Sequence, residues 1–213
     1  MKENVTIKCA DSVTLEGVLE IPESTGPQMP AALVCHPHPL YGGNMSNNVV
    51  SALCESFVSS GVAALRFNFR GVGESAGKHG EGISETIDVT ACLDLLCSDS
   101  RFDRSKLVLS GYSFGSWVAM KTAASDERPS RLIMISPPVD MYDFSFLSSE
   151  KRPKLMIAGD NDFVCSIQKY NELIKICPDP CISVLLKGHD HFHWGSEADI
   201  KKNVRDFMQL HPF

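Results

Sequence analysis

The sequence predicts an α/β fold in which a doubly wound, mostly parallel sheet follows an N-terminal β-hairpin. Apolar and polar residues alternate along 5–9 and 13–21, and this period of two is typical of a hairpin with one buried face. Six short apolar runs follow, at 31–35, 62–67, 106–109, 131–135, 154–158 and 182–186. Segments with helical spacing lie between the runs, which is the alternation expected of parallel strands buried on both faces.

Three of the intervening helices are recognisable from their apolar spacing, within 49–57, 83–95 and 200–208. Ser196, with Asp199 three residues later, predicts a capping box at the start of the last helix. A loop rich in proline and glycine is expected at 22–30.

Length and composition predict one globular domain spanning residues 1–213. Hydrophobic residues make up 43% and charged residues 22% of the chain, as in ordinary soluble proteins. The net charge of −6 comes without a basic run, which argues against a nucleic-acid partner. No apolar run approaches the length of a membrane span, and residues 1–5 lack the pattern of a signal peptide. We therefore expect a cytoplasmic monomer or homodimer with no membrane partner.

The eight cysteines do not follow a zinc-finger spacing. Cys35, Cys54 and Cys92 lie inside apolar segments, where a thiol acts as a small hydrophobic group. Only Cys177 and Cys181, on either side of Pro178-Asp179-Pro180, are near enough in sequence to suggest a local bridge.

A candidate nucleophile is found in Gly111-Tyr112-Ser113-Phe114-Gly115, which fits the pattern G-x-S-x-G. The motif follows the apolar run at 106–109 and opens a helical segment at 117–120, which is the strand–turn–helix context of a nucleophile elbow. Glycine on both sides allows a tight turn, which would project Ser113 above the sheet at the amino end of a helix.

A serine hydroxyl needs a base before it can act as a nucleophile. The segment after the last apolar run supplies three histidines, His189, His191 and His193, and their spacing does not choose among them. A metal site that also used His36 and His38 is the alternative, but no H-E-x-x-H spacing is present. The sequence therefore predicts neither a metal nor a cofactor.

A carboxylate that orients the imidazole should lie at the same edge of the sheet as Ser113. Asp160 and Asp162 follow the run at 154–158 and compete for this role, with Asp140 a more distant candidate. The chain order serine, aspartate, histidine is that of α/β-hydrolases.

The loop after the run at 31–35 is expected to complete an oxyanion hole. Phe114 N–H, directly after the nucleophile, is the first expected donor. Proline has no N–H, so Pro37 and Pro39 are excluded and the second donor must be His38 or Leu40.

Four segments of the chain together resemble one known family. They are Cys35–Met45 (CHPHPLYGGNM), Arg66–Ser75 (RFNFRGVGES), Gly111–Gly115 (GYSFG) and Gly188–Phe192 (GHDHF). The stretch from about residue 30 to 195 resembles the small, lidless α/β-hydrolases of the dienelactone-hydrolase and serine-aminopeptidase-like branch. This resemblance implies that Asp162 is the acid and His191 the base.

The chain departs from that family at two positions. Dienelactone hydrolases proper use a cysteine nucleophile, and Ser113 in its place favours carboxylic esters. His189 stands where a small residue is more usual.

These residues predict a serine carboxylesterase that forms an acyl-enzyme through Ser113, His191 and Asp162. The short connection at 136–153 leaves little room for a lid, which favours short-chain or small soluble esters. Tyr41, Phe146 and Trp194 are the candidate substrate-binding residues. Thioesters and small amides or peptides are alternative substrates, and a non-catalytic small-molecule receptor on the same fold is an alternative function.

Overall fold

A computed structural model describes residues 1–23 and 28–213, which form an eight-stranded sheet with helices on both faces. The strands are β1 (Lys2–Lys8), β2 (Thr14–Glu20), β3 (Met29–Cys35), β4 (Ala63–Phe67), β5 (Phe102–Tyr112), β6 (Pro129–Ile135), β7 (Lys154–Gly159) and β8 (Cys181–Leu186). The helices are α1 (Asn48–Ser59), α2 (Glu85–Ser98), α3 (Phe114–Ala123), α4 (Ile167–Ile176) and α5 (Glu197–Leu210). Two short 3-10 helices cover Pro39–Tyr41 and Ser145–Ser149.

The strand order is β1-β2-β4-β3-β5-β6-β7-β8. The predicted hairpin is confirmed, because β1 and β2 pair antiparallel from Lys2↔Glu20 to Lys8↔Thr14. β2 also runs antiparallel to β4, and all later neighbours are parallel. The chain moves from β3 to β4 and then returns to the other side of β3 as β5. In such sheets ligands bind where the winding reverses, beyond the carboxyl ends of the strands.

Two apolar layers bury the faces of the sheet. One joins α1 and α5 to the residues that point to their side, with Phe57 and Phe207 fully buried in it. The other packs α2, α3 and α4 on the opposite face, around Phe69 and Phe114. The strand residues between the layers are buried on both faces, which explains why β3, β6 and β7 read as continuous apolar runs.

The start of α5 differs from the expectation drawn from the sequence. Ser196 is the residue at the start of α5, but its side chain caps no backbone N–H and its buried Oγ has no partner among the described residues. The predicted capping box is therefore wrong.

The apolar spacing of the sequence does not reveal helix α4, because the buried side of this helix consists only of Tyr170 and Leu173. The loop expected at 22–30 lies partly outside the described residues, and β3 already begins at Met29.

The connection from 136 to 153 carries only the short 3-10 helix Ser145–Ser149, so no lid is built there. Across the residues that the structure describes, no helix is both long and apolar enough to cross a bilayer. The same residues contain no group of three or more His, Cys, Asp or Glu side chains placed to hold a metal ion.

Candidate active site

Ser113 lies in a sharp turn between β5 and α3, with φ 53° and ψ −124°. This backbone conformation is rare for a residue with a side chain and is found mostly at functional sites. The flanking glycines permit it. A Cβ on Gly111 would meet the Gly115 carbonyl oxygen at 2.3 Å, and one on Gly115 would meet the His36 carbonyl oxygen at 2.4 Å. The predicted tight turn is therefore present, and only glycine fits on both sides of it.

His191 lies between Ser113 and Asp162. Its Nε2 is 2.9 Å from Ser113 Oγ, and its Nδ1 is 2.9 Å from both carboxylate oxygens of Asp162. All three residues are less than one-tenth exposed. Tyr112 fixes the backbone of this loop, because its hydroxyl donates to the His191 carbonyl oxygen at 2.7 Å.

Asp162 is held as a carboxylate by the groups around it. Its Oδ1 accepts the backbone N–H groups of Val164 and Cys165, both at 2.9 Å. Burial works to raise the pKa of this carboxyl, but the hydrogen bond and charge of His191, followed by hydrogen bonds from Ser136 and Val164, outweigh it. The pKa of Asp162 is therefore below its ordinary value, and the group is charged at neutral pH.

The loops after β7 and β8 meet through a close backbone approach at Gly159. A Cβ there would lie 2.1 Å from the His189 carbonyl oxygen, which also accepts the Asn161 N–H at 2.9 Å. Asp160 accepts the N–H of Gly188 and so ties the same two loops together. The two candidate aspartates therefore have different partners. Asp160 accepts a backbone N–H of the loop, whereas the Asp162 carboxylate faces His191.

The other candidate groups are engaged elsewhere. Asp140 accepts the N–H and the hydroxyl of Ser166 at the start of α4. The partly exposed His189 lies 4.0 Å from Asp199 on α5. Neither residue contacts Ser113.

His193 is buried behind the aspartate rather than beside the serine. Its Nε2 lies 2.7 Å from Ser136 Oγ, and Ser136 is also among the groups that lower the pKa of Asp162. Burial lowers the pKa of His193 to about 4, so the ring is neutral at pH 7. Ser136 and His193 both have positive φ, 44° and 55°, which sequence reasoning gave no means of finding. Backbone strain at two facing residues indicates that their contact is strongly held by the surrounding structure.

The loop after β3 is fixed by His36, whose side chain is fully buried. Its Nδ1 lies 2.6 Å from the Pro37 carbonyl oxygen, and its Nε2 accepts the Phe69 N–H at 3.0 Å. Burial lowers the pKa of His36 to about 4, which leaves Nε2 free to accept at neutral pH. This histidine anchors the loop rather than acting as a ligand.

The two possible loop donors differ in what their N–H groups do. Leu40 N–H donates to His38 Nδ1 at 3.2 Å, which caps the short 3-10 helix. Neither His38 N–H nor Phe114 N–H donates to any acceptor within 1–23 and 28–213. The ring of His38 packs on the Phe114 ring with 4.7 Å between centroids, which brings the two segments together.

The serine opens into a cavity of about 520 Å³, a size typical of small-molecule sites. Tyr41 lines it, as do His38, Phe114 and His191. Phe146 and Trp194 do not. Phe146 is half-buried against the core beside Phe144, and Trp194 is 73% exposed.

Several further side chains that the sequence did not single out line the cavity, among them two pairs of large apolar residues. These four are Met141, Tyr142, Phe163 and Phe192. Phe163 and Phe192 each directly follow a residue of the predicted triad segments, Asp162 and His191. Their position next to the predicted triad residues was the signal that could have identified them, since the neighbour of a buried catalytic residue in a tight loop often lines the same cavity.

Known proteins similar to this chain identify its family. Residues 28–152 match the model of the family described as serine aminopeptidase, S33. The chain belongs to this family. An uncharacterized protein of Rickettsia prowazekii is 37% identical over 194 residues, covering 87% of this chain and 81% of its own length. The resemblance to the serine-aminopeptidase-like branch, which the four sequence motifs predicted, is confirmed.

Solved structures of α/β hydrolases agree with the lidless fold. An α/β serine hydrolase without lid from Xanthomonas campestris superposes with a TM-score of 0.87 at 29% identity, over 98% of this chain and 94% of that one. A putative α/β hydrolase from Agrobacterium tumefaciens gives a TM-score of 0.89 at 30% identity, over 97% and 95% of the two chains. The protein is thus a small, lidless member of the α/β serine hydrolases.

Proposed function

We propose that the protein hydrolyses small, uncharged carboxylic esters, with Ser113 as nucleophile, His191 as base and Asp162 as the orienting acid. The observation that supports this most directly is the position of His191, 2.9 Å from the serine oxygen and 2.9 Å from the aspartate oxygens. This is the nucleophile–base–orienter arrangement needed to activate a serine hydroxyl.

The reaction follows from this geometry in two steps. His191 Nε2 takes the proton of Ser113 as its oxygen attacks the ester carbonyl, and the same imidazolium then protonates the leaving alcohol. Water enters, gives a proton to His191 and releases the acid from the acyl-enzyme. Asp162 keeps the proton of the neutral ring on Nδ1 and stabilises the imidazolium when it forms.

Two backbone N–H groups would stabilise the oxyanion, those of Phe114 and His38. Both are free of protein acceptors in the described chain and border the cavity, whereas Leu40 N–H is occupied by the His38 ring. Donors already aimed at the developing charge need no reorganisation during the reaction. We therefore favour His38 over Leu40 as the loop donor.

The cavity chemistry favours a neutral ester over a peptide with a free amino terminus. No Asp, Glu, Lys or Arg side chain is among the described residues that line the cavity. Recognition of an α-ammonium group in an apolar site needs a carboxylate partner, because an unpaired charge is costly to desolvate. The aromatic and aliphatic lining instead suits an uncharged acyl or alcohol group.

The test is turnover of p-nitrophenyl acetate, butyrate and octanoate, with Ser113→Ala as the control. We expect hydrolysis of the short esters and loss of it in the variant. An aminoacyl p-nitroanilide and an acyl thioester are run in parallel. Faster turnover of the anilide would contradict the ester assignment, and faster turnover of the thioester would reassign the substrate. Covalent labelling of Ser113 with no turnover of any of them would favour a receptor.

A further inference from the structure

Lys154 at the start of β7 is a buried amine without a carboxylate partner. Its side chain is fully buried, and its Nζ donates to the Pro178 carbonyl oxygen at 2.6 Å and approaches that of Pro180 at 3.5 Å. Within the described residues no carboxylate lies within salt-bridge distance of it, and the nearby Glu150 is paired with Arg152. A buried ammonium ion with only neutral acceptors is unfavourable, so a further negative group is expected beside it.

Two thiols lie at this position. Lys154 is the register partner of Cys181 across β7 and β8, and the carbonyls that its amine contacts belong to the loop joining Cys177 to Cys181. The two thiols are free, and both belong to the apolar layer that packs α2, α3 and α4 on the sheet. Cys177 is buried, whereas Cys181 is partly exposed.

The charges around Cys181 favour its thiolate. The neighbouring Cys177 thiol lowers the pKa of the Cys181 thiol, and the Lys154 ammonium lowers it further, against the opposing effects of burial and of Asp179. The same interaction, together with burial, raises the pKa of Cys177. These surroundings therefore favour the thiolate at Cys181 over that at Cys177. A low-pKa, accessible cysteine next to a second cysteine is the arrangement of redox-reactive sites.

We propose that Cys181 and Cys177 form a redox-reactive dithiol that hydroperoxides oxidise reversibly to an intramolecular disulfide, with Lys154 as the counter-ion of the reacting thiolate. This site goes beyond the proposed ester hydrolysis and does not depend on it.

The chemistry takes place in two steps. The Cys181 thiolate attacks one peroxide oxygen, the O–O bond breaks, and a sulfenic acid forms as the leaving oxygen takes up a proton to become water or an alcohol. The Cys177 sulfur then attacks the Cys181 sulfur and displaces hydroxide, which takes the Cys177 thiol proton and leaves as water. Two thiols lose two electrons in all, and the hydroperoxide is reduced.

The two thiols lie where the parallel strands begin, whereas Ser113 lies beyond the carboxyl ends of the strands. Lys154 and Cys181 begin β7 and β8, whereas Asp162 and His191 follow the ends of these parallel strands. Oxidation should therefore leave ester hydrolysis largely unchanged, and the readout must be the thiols themselves.

The experiment uses the reduced, full-length protein exposed to hydrogen peroxide, then blocked with iodoacetamide and digested with trypsin without reduction. Cleavage after Lys175 and Lys187 gives the peptide 176–187, which contains both cysteines and no others. We expect this peptide to lose two hydrogens and to carry no alkyl group. Treatment with dithiothreitol should restore two alkylatable thiols.

Three variants separate the roles. Cys177→Ser should stop at a sulfenic acid that dimedone traps on Cys181, and Cys181→Ser should give neither product. Lys154→Met should slow alkylation of Cys181 at pH 7 by about tenfold, because loss of the ammonium raises the pKa of the thiol and lowers the fraction present as thiolate. Lys151→Met removes a charge from an exposed neighbour and should leave the rate unchanged.

Half-buried Cys97 is the internal reference in every digest, and it should react more slowly than Cys181. If Lys154→Met does not fold, the wild-type and cysteine variants still decide the question. Two alkylated thiols in the peptide 176–187 after peroxide treatment would overturn the proposal. So would dimedone trapping on Cys177 instead of Cys181, or equal slowing by Lys151→Met and Lys154→Met.

Discussion

The floor and the rim of the cavity are built in opposite ways. The floor consists of Ser113, His191 and Asp162, each less than one-tenth exposed, with His191 hydrogen-bonded to both of the others. The rim consists of four apolar side chains that line the cavity and are half or more exposed: Tyr41 (79%), Met141 (52%), Phe163 (64%) and Phe192 (50%). The floor residues are fixed in position by the strands that they follow and by buried hydrogen bonds. The rim residues are positioned mainly by the backbone of the loops that carry them.

This difference predicts how substitutions act. A change in the floor alters a group that must be correctly charged and placed for the chemistry, so its effect is large and appears in kcat. A change at the rim removes some apolar contact with bound substrate, so its effect is small and depends on the substrate.

The largest of the graded effects is expected for Asp162→Asn. An amide can hold the imidazole in the wrong tautomer, and loss of the orienting carboxylate costs about 10⁴-fold in kcat in serine hydrolases of this geometry. Steady-state kinetics with p-nitrophenyl butyrate measures this. Asp160→Asn is the matched control and should keep most of the activity, because Asp160 contacts the loop backbone at Gly188. Similar losses in both variants would refute the assignment of the acid.

Acid pH should destabilise the fold through the buried histidines behind the floor. The pKa of His36 and that of His193 are each lowered to about 4 by burial, below the unfolded value of about 6.5. The unfolded chain therefore binds more protons between pH 6.5 and 4, and the free energy of unfolding falls as pH is lowered through that window. Each histidine contributes about 3 kcal/mol to this loss.

Urea unfolding at a series of pH values from 7 to 4.5 checks this prediction. His36→Gln keeps an acceptor for the Phe69 N–H but does not titrate in this range, so its stability should depend less steeply on pH than that of the wild type. An unchanged pH dependence would mean that His36 is not held neutral in the folded protein.

Ser136→Ala should have an intermediate effect. The variant removes the hydroxyl that contacts His193 and lowers the pKa of Asp162, so we expect kcat to fall by about tenfold with little change in KM. This is about the effect of losing one polar interaction with a charged group. Ser110→Ala is the control, because that equally buried hydroxyl contacts only the Leu33 carbonyl oxygen. A loss of thermal stability without a fall in kcat would limit Ser136 to a structural role.

The smallest effect is expected at the rim. Phe163→Ala should raise KM for the octanoate ester by about fivefold, equivalent to about 1 kcal/mol of lost apolar contact, and should change acetate turnover little. Trp194→Ala removes a larger and more exposed ring outside the cavity lining and should change neither. Equal effects of the two substitutions would indicate that the substrate binds outside this cavity.

The floor could be predicted from the sequence because strand ends are readable from apolar runs. The runs at 106–109 and 154–158 placed Ser113 and Asp162 at one edge of the sheet, and the family motif chose His191 among three histidines. Strand ends alone could not separate Asp160 from Asp162, and the family resemblance favoured Asp162. The physical basis of that choice is the backbone contact of Gly159 with His189, which forms only when the two loops meet.

The loop N–H donor and the contact between Ser136 and His193, which lies next to the floor, could not be predicted from apolar runs. Leu40 and His38 were equivalent as N–H donors until the local fold of the loop showed the Leu40 N–H bonded to the His38 ring. The contact between Ser136 and His193 joins residues 57 positions apart and depends on two positive φ angles. No sequence periodicity reports such tertiary contacts.

The central claim is that Ser113 is a nucleophile activated by His191. Reaction of the protein with a fluorophosphonate, followed by mass analysis of the tryptic peptide 107–121, tests it most directly. The account predicts one adduct per chain, located on Ser113, formed far more slowly in His191→Ala and absent in Ser113→Ala. Labelling of another residue, or ester hydrolysis that persists at the wild-type rate in Ser113→Ala, would contradict it.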